Sequence, residues 1–209
     1  MQPVSRLTLR ADLGFNARAT DTAPLAVAGR QQEARLGADL RLTQTTPVRV
    51  TLRAAQLDLQ SGERLGTALG LDWEIGQVLR GATPDLSVRV FGSYTRYRRT
   101  GSALPGWTAR LTPDGSQPDA AFFVPDSFAL HGVGLSAGLA ARDSYTRAWR
   151  PFLDLSLTHH SRLGAGYGAT VGVAGRLLGS DLLLLQLGTS RSGTGSDARA
   201  LGLRYVLPF

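Results

Sequence analysis

Hydrophobic and polar residues alternate along most of this chain. Leu7, Leu9, Ala11, Leu13 and Phe15 interleave with Thr8, Arg10, Asp12 and Gly14. Ala34, Leu36, Ala38, Leu40 and Leu42 interleave with Arg35, Gly37, Asp39 and Arg41. Val48, Val50, Leu52 and Ala54 interleave with Arg49, Thr51 and Arg53. Leu65, Leu69, Leu71, Trp73 and Ile75 read as one face opposite Gly66, Gly70, Asp72 and Glu74. A period of two puts successive side chains on opposite sides of a strand. Ten such segments are expected, at about 5–17, 30–43, 47–58, 64–79, 85–98, 127–141, 149–161, 165–177, 181–190 and 198–209. Strands of soluble proteins have a mode near 5–6 residues. Strands that cross a membrane need about 9–11, and these segments reach that length.

The connections alternate too. Residues 18–29 read as a polar loop, Gln44 to Pro47 as a tight turn, and Gln60 to Glu63 and Arg80 to Pro84 as short links. The longest loop, about 99–126, holds Pro105, Pro113, Pro118 and Pro125. A turn near Asp143, a polar link near Ser161 and a turn at Gly179-Ser180-Asp181 complete the series. Both long loops fall on odd-numbered connections, hence on one side. Short turns on one side and longer loops on the other are the habit of outer-membrane β-barrels. The expected fold is all-β: a transmembrane antiparallel up-and-down β-barrel of about ten strands, termini periplasmic. Phe15, Tyr94 and Tyr167 then fall near the outer strand ends, and Trp73, Trp149, Tyr205 and Phe209 near the periplasmic ends. Two aromatic girdles are what the interfaces of a bilayer favour. A soluble two-sheet sandwich also alternates, but with shorter strands and outer faces rich in Lys and Glu.

Composition narrows the chemistry. The chain has 209 residues, no Cys and 25 Gly, and its hydrophobic content of 43% excludes a disordered chain. All 23 basic residues are Arg, against 16 acids, for a net charge of +7. No stretch approaches the ~18 apolar residues of a transmembrane helix. The polar phase of the first five segments carries Arg6, Arg10, Asp12, Arg35, Asp39, Arg41, Arg49, Arg53, Asp72, Glu74 and Arg89: seven Arg against four acids. The sixth and eighth segments instead carry Gly132, Gly134, Ser136, Gly138 and Ala140, then Gly166, Gly168, Thr170, Gly172 and Ala174. One lumen wall thus reads as charged and one as smooth. Two functions stay open: a hydrated path for a polar solute, or a narrow lumen filled by Arg–acid pairs.

Catalytic signals are sparse. His131, His159 and His160 are the three histidines. His159 and Ser161 share a face, as in a lipid A deacylase barrel, but no Glu follows in the next segment. Asp126 and His131 are the remaining rim candidates, without the paired aspartates of omptin-type proteases. With no acid to orient a His, no base is assigned and the chain is expected not to be an enzyme. No metal or cofactor site is expected. Gly164-Ala165-Gly166-Tyr167-Gly168 lacks the Lys and following helix of a phosphate loop. The run Tyr94-Thr95-Arg96-Tyr97-Arg98-Arg99 reads as an outer rim meeting lipopolysaccharide phosphates or as a solvated loop, rather than as a nucleic-acid site.

Leu203, Tyr205, Leu207 and Phe209 alternate to the last residue. This resembles the terminal-strand signal read by the barrel-assembly machinery. Pro208 sits at the penultimate position, where its missing donor costs least. The stretch Tyr145 to Leu153, then Ser161 to Tyr167, then Val173 to Asp181, resembles the C-terminal barrel of exopolysaccharide export porins, most closely the Pel type. That resemblance covers about the last third of the chain. It implies a polysaccharide cargo and a periplasmic tetratricopeptide superhelix or other export partner. The chain reads as one barrel domain over 1–209, beginning almost directly on its first strand, either whole or the C-terminal part of a longer protein. The expected function is passage of a polar solute. The alternatives are a closed barrel acting as anchor or adhesin through the 99–126 loop, and a rim hydrolase.

Overall fold

The structure, a computed structural model, describes residues 7–19, 21–101, 104–142, 148–176, 181–192 and 196–207. Ten strands occupy the alternating segments: β1 (Leu7–Ala17), β2 (Gly29–Thr43), β3 (Thr46–Leu59), β4 (Arg64–Arg80), β5 (Leu86–Arg99), β6 (Phe128–Ala137), β7 (Arg150–His160), β8 (Gly164–Gly175), β9 (Leu182–Arg191) and β10 (Asp197–Val206). They form one sheet in chain order, each strand antiparallel to the next. This is the up-and-down arrangement of a β-barrel. Among the described residues no ladder joins β10 back to β1.

The registers keep the two chemistries apart. Leu36 faces Leu52, Leu52 faces Leu71 and Leu71 faces Tyr94 on one side of the sheet. Arg35 faces Arg53, Asp39 faces Arg49 and Arg49 faces Glu74 on the other. A one-residue slip would exchange the two sets, so the pattern specifies the register strongly. Exposure is inverted relative to a water-soluble sheet. Leu9, Leu69 and Leu157 are 71%, 61% and 63% exposed, whereas the Arg53 and Asp21 side chains retain 19% and 9%.

Four local expectations are corrected. β6 stops at Ala137 rather than running to 141. Gly138 takes a left-handed φ of 71°, which glycine adopts without steric cost, and its N–H donates to the Asp85 carbonyl at 2.8 Å. A 3-10 turn, Leu139–Arg142, follows, so Gly138 and Ala140 leave the ladder. Leu65 is fully buried instead of sharing the exposed face of Leu69. The register shifts between Leu57 and Asp58, where Leu57 pairs Gly66 and Asp58 pairs Arg64. That bulge turns Leu65 to the inner side. Trp73 lies mid-strand in β4 and so does not mark a strand end, whereas Trp149 directly precedes Arg150, the first residue of β7, at the short-turn end as expected. The 18–29 segment is not a purely polar loop: it contains the helix α1 (Ala23–Ala28). The long loop carries a 3-10 turn, Gly106–Leu111, and the helix α2 (Ala120–Phe123).

Both helices have readable starts. Thr22 caps α1, its side chain accepting from the Leu25 N–H, with a proline in the first turn. Asp119 caps α2 by accepting from Ala121 and Phe122. Between them and the inner side of the sheet lies the main apolar core: Ala19, Leu25, Ala28, Leu57, Leu59, Leu65, Phe123 and Val124. A smaller cluster of Phe152, Ala174 and Leu184, with Leu139 and Leu182 against it, lies toward the short-turn end.

Candidate functional site

The candidate site is the charged inner face together with the cap over its long-loop end. Asp39 on β2 sits between Arg10 of β1, at 3.2 Å, and Arg49 of β3, at 2.7 Å. Further toward the long-loop end, Glu33 accepts from Arg35 at 2.9 Å and from Arg53 at 3.1 Å. Arg53 also reaches the Gln31 side-chain oxygen at 2.9 Å and both carboxylate oxygens of Asp21. The Tyr97 hydroxyl donates to the same Asp21 at 2.8 Å. Arg53 and Asp21 are mostly enclosed, the setting in which an ion pair is rigid and the loss of one partner costly. Burial works to raise the pKa of Asp21, but the hydrogen bonds from Arg53 and Tyr97 and the charge of Arg53 hold it below the ordinary carboxylate value.

The wall opposite is not smooth. Arg89 of β5 crosses β6 and forms a bidentate pair with Asp154 of β7, at 2.8 and 3.0 Å. Gly134 makes that crossing possible, because a Cβ there would stand 2.9 Å from the Arg89 guanidinium carbon. The Phe91 ring lies over Gly132 in the same way. The glycines are the floor on which side chains of the next strand rest.

Of the residues predicted to line the lumen, Arg10, Asp39 and Arg49 form one cluster, and Arg35 and Arg53 meet at Glu33. Arg89 stands apart with Asp154. Asp12, Arg41, Asp72 and Glu74 share the face by register but, among the described residues, make no ion pair. Arg6 lies outside the described residues. Sequence reasoning missed Asp21, Glu33 and Asp154. Glu33 was within reach, since it continues the polar phase of Arg35 and Asp39.

The cap closes over this network. The Thr22 hydroxyl donates to the Phe123 carbonyl at 2.6 Å, tying α1 to α2. Leu25, Phe123, Leu57, Leu59 and Leu65 have no exposed surface. Each large side chain so buried is worth roughly 1.5–3 kcal/mol. The inner space is therefore uneven along its length. A cavity of about 240 Å³ lies among Thr51, Asp72, Glu74 and Ser93. Another, of about 380 Å³, opens among Thr8, Arg10, Arg41 and Glu74 toward the short-turn end.

The three histidines lie close together on β6 and β7 but on both faces of the sheet. His131 and His159 face one another across β6 and β7 on the apolar side. His160 stacks on Phe128 with ring centroids 4.7 Å apart, and its Nδ1 accepts from the Arg162 and Leu163 N–H groups. The Ser161 hydroxyl accepts from the Ala129 N–H at 3.0 Å. The Asp126 carboxylate is held by Arg99 and Arg162, each at 2.6 Å. At the C-terminal strand, Leu203 and Tyr205 pair with Leu185 and Leu183 on the apolar side. Leu207 is exposed, and Phe209, with Pro208, lies outside the described residues.

An all-antiparallel, chain-order sheet with one apolar and one charged face defines an up-and-down β-barrel domain. The family model described as "PelB, C-terminal beta barrel domain" matches residues 1–207, and the chain belongs to that family. No curated protein matches the chain, and no solved structure does.

Proposed function

We propose that this barrel spans the bacterial outer membrane and passes a hydroxyl-rich polymer, an exopolysaccharide, from its short-turn end to its long-loop end. Membership of the PelB barrel family carries the reading. The inverted exposure supports the membrane placement. Leu, Val and aromatic side chains cover the outside, where hydrocarbon accepts them and water would not. The guanidinium and carboxylate groups of the inner face offer a polymer hydroxyl both donors and acceptors. Arg10, Arg35, Arg49, Arg53 and Arg89 are neutralised by carboxylates, and Asp12, Arg41, Asp72 and Glu74 are left to meet the polymer. The cap of α1 and α2 acts as a gate at the outer mouth.

The partners of this reading are a periplasmic tetratricopeptide region or export partner, lipopolysaccharide around the barrel, and the assembly machinery at Leu203, Tyr205, Leu207 and Phe209. Nucleic acid has no place in it, and neither does catalysis at the histidines. A second reading is favoured by the apolar core packed in the outer mouth: a closed barrel that anchors or adheres through the 99–126 loop. Conductance of the refolded chain in a planar bilayer, with and without residues 102–122, separates the two. The export reading predicts rare openings that become frequent in the deletion. Silence of both folded, inserted proteins would overturn it in favour of the anchor.

A further inference from the structure

The apolar side of the sheet has a polar corner at its long-loop end. Gln32, Gln56, Thr67 and Arg98 form one continuous cross-strand rung on that side. The next rung toward the middle is Leu13, Ala34, Ala54, Leu69 and Arg96. Small Ala34 and Ala54 between larger Leu13 and Leu69 leave a trough. These rungs and Phe15 line a groove of about 610 Å³. Inner-phase Gly14, Glu33, Ala55 and Ala68 border it too, but most of its lining is outward-phase residues, so it opens on the apolar side.

Its two cations are unlike those of the inner face. Arg10, Arg35, Arg49, Arg53 and Arg89 each hold a carboxylate. Arg96 and Arg98 are exposed and, among the described residues, hold none. Two acids lie close to these rungs: Glu33, which borders the groove but is held by Arg35 and Arg53, and Asp58, which is buried, accepts from the Gln56 amide at 3.0 and 3.1 Å, and faces Arg30 and Arg64 in register. Two guanidiniums on the outward phase, with no ion-pair partner among the described residues, call for an anion from the surroundings. An arginine pair of this kind suits a phosphate, which it binds by parallel N–H donors. The exposed hydrophobic trough beside it calls for hydrocarbon.

We propose that this groove seats one phosphorylated, acylated glycolipid of the surrounding leaflet. Its phosphate lies between Arg96 and Arg98, its sugar hydroxyls along Gln32, Gln56 and Thr67, and one acyl chain over Ala34 and Ala54 between Leu13 and Leu69. The site rests on the membrane placement of the barrel and not on what the lumen carries.

The test uses the purified barrel in detergent, probed by native mass spectrometry with bisphosphorylated lipid A and with the same lipid after enzymatic removal of its phosphates. Wild type is expected to prefer the phosphorylated lipid by about tenfold or more, since hydrogen bonds to charged groups outweigh neutral ones. The double variant Arg96→Gln/Arg98→Gln should lose that preference. Ala54→Trp, which fills the trough and keeps both cations, should weaken both lipids alike. Heat-modified gel mobility confirms folding, and the single variant R98Q serves if the double one does not fold. Unchanged conductance in these variants separates loss of lipid from loss of passage. Equal affinity of wild type for the two lipids, or a folded charge variant that retains the preference, overturns the site.

Discussion

Replacing Phe123 by alanine should open the cap without disturbing the strands. Phe123 has no exposed surface and packs in the cluster with Leu25, Leu57, Leu59, Leu65 and Val124. Truncating a buried Phe to Ala costs about 3–5 kcal/mol. Besides this core, α1 and α2 are held by hydrogen bonds: the Thr22 hydroxyl on the Phe123 carbonyl, Asp21 to Arg53 and Tyr97, the Gln60 side-chain amide on Val27 and its N–H on Ala28, Arg18 on the Ala26 carbonyl and Arg99 on the Val124 carbonyl. The ladders of β3, β4 and β5 do not depend on this ring, so the loss falls on the closed cap. Even the lower figure is a shift of about a hundredfold in an open–closed equilibrium. Single-channel recording reads this as the open fraction. Hydrogen exchange at the Leu25 and Ala26 amides reads it independently, as lost protection. An F123A protein with wild-type open fraction and wild-type protection would refute the idea that the cap is held shut by this core.

Three further outcomes follow from the site. Asp21 titrates below its ordinary value of 3.8 because Arg53 and Tyr97 outweigh its burial; its contribution to the cap is complete above that value and is lost as pH falls through the lower folded value. Open fraction should therefore rise in strong acid, whereas Asp21→Asn should open the cap at neutral pH and flatten that dependence. Asp39→Asn leaves Arg10 and Arg49 without their shared carboxylate, so reversal potentials in a salt gradient should move toward anion selectivity. Gly134→Val would place side-chain atoms where Arg89 crosses to Asp154; overpacking of this kind costs about 1–3 kcal/mol, seen as a lower midpoint of heat-modified mobility, while Gly81→Ala, with no neighbour near its Cβ, should leave that midpoint unchanged.

The strands were legible because each alternating run faces two different surroundings and a slip would reverse both. Leu65 was misread because a single extra residue at the β3–β4 bulge reverses the phase while the spacing to Leu69 stays even. The inner wall was half legible. Residues on the face could be listed, but partners could not: Arg89 finds Asp154 at a sequence separation of 65, by crossing a strand whose glycines looked merely smooth. The cap was missed because four-to-six-residue helices have no period to detect. Their signals were the Thr22 cap before Ala23-Pro24 and the Asp119 cap before Ala120-Ala121-Phe122-Phe123.

The central claim is that the apolar side meets lipid and the charged side meets water. The chain contains no cysteine, so single cysteines can be placed along β4 at Leu69, Gly70, Leu71, Asp72, Trp73 and Glu74 without background. In liposomes, a membrane-impermeant maleimide should label positions 70, 72 and 74 and spare 69, 71 and 73, with a lipid-soluble maleimide giving the reverse. Uniform labelling of all six positions, or alternation in the opposite phase, would contradict the account.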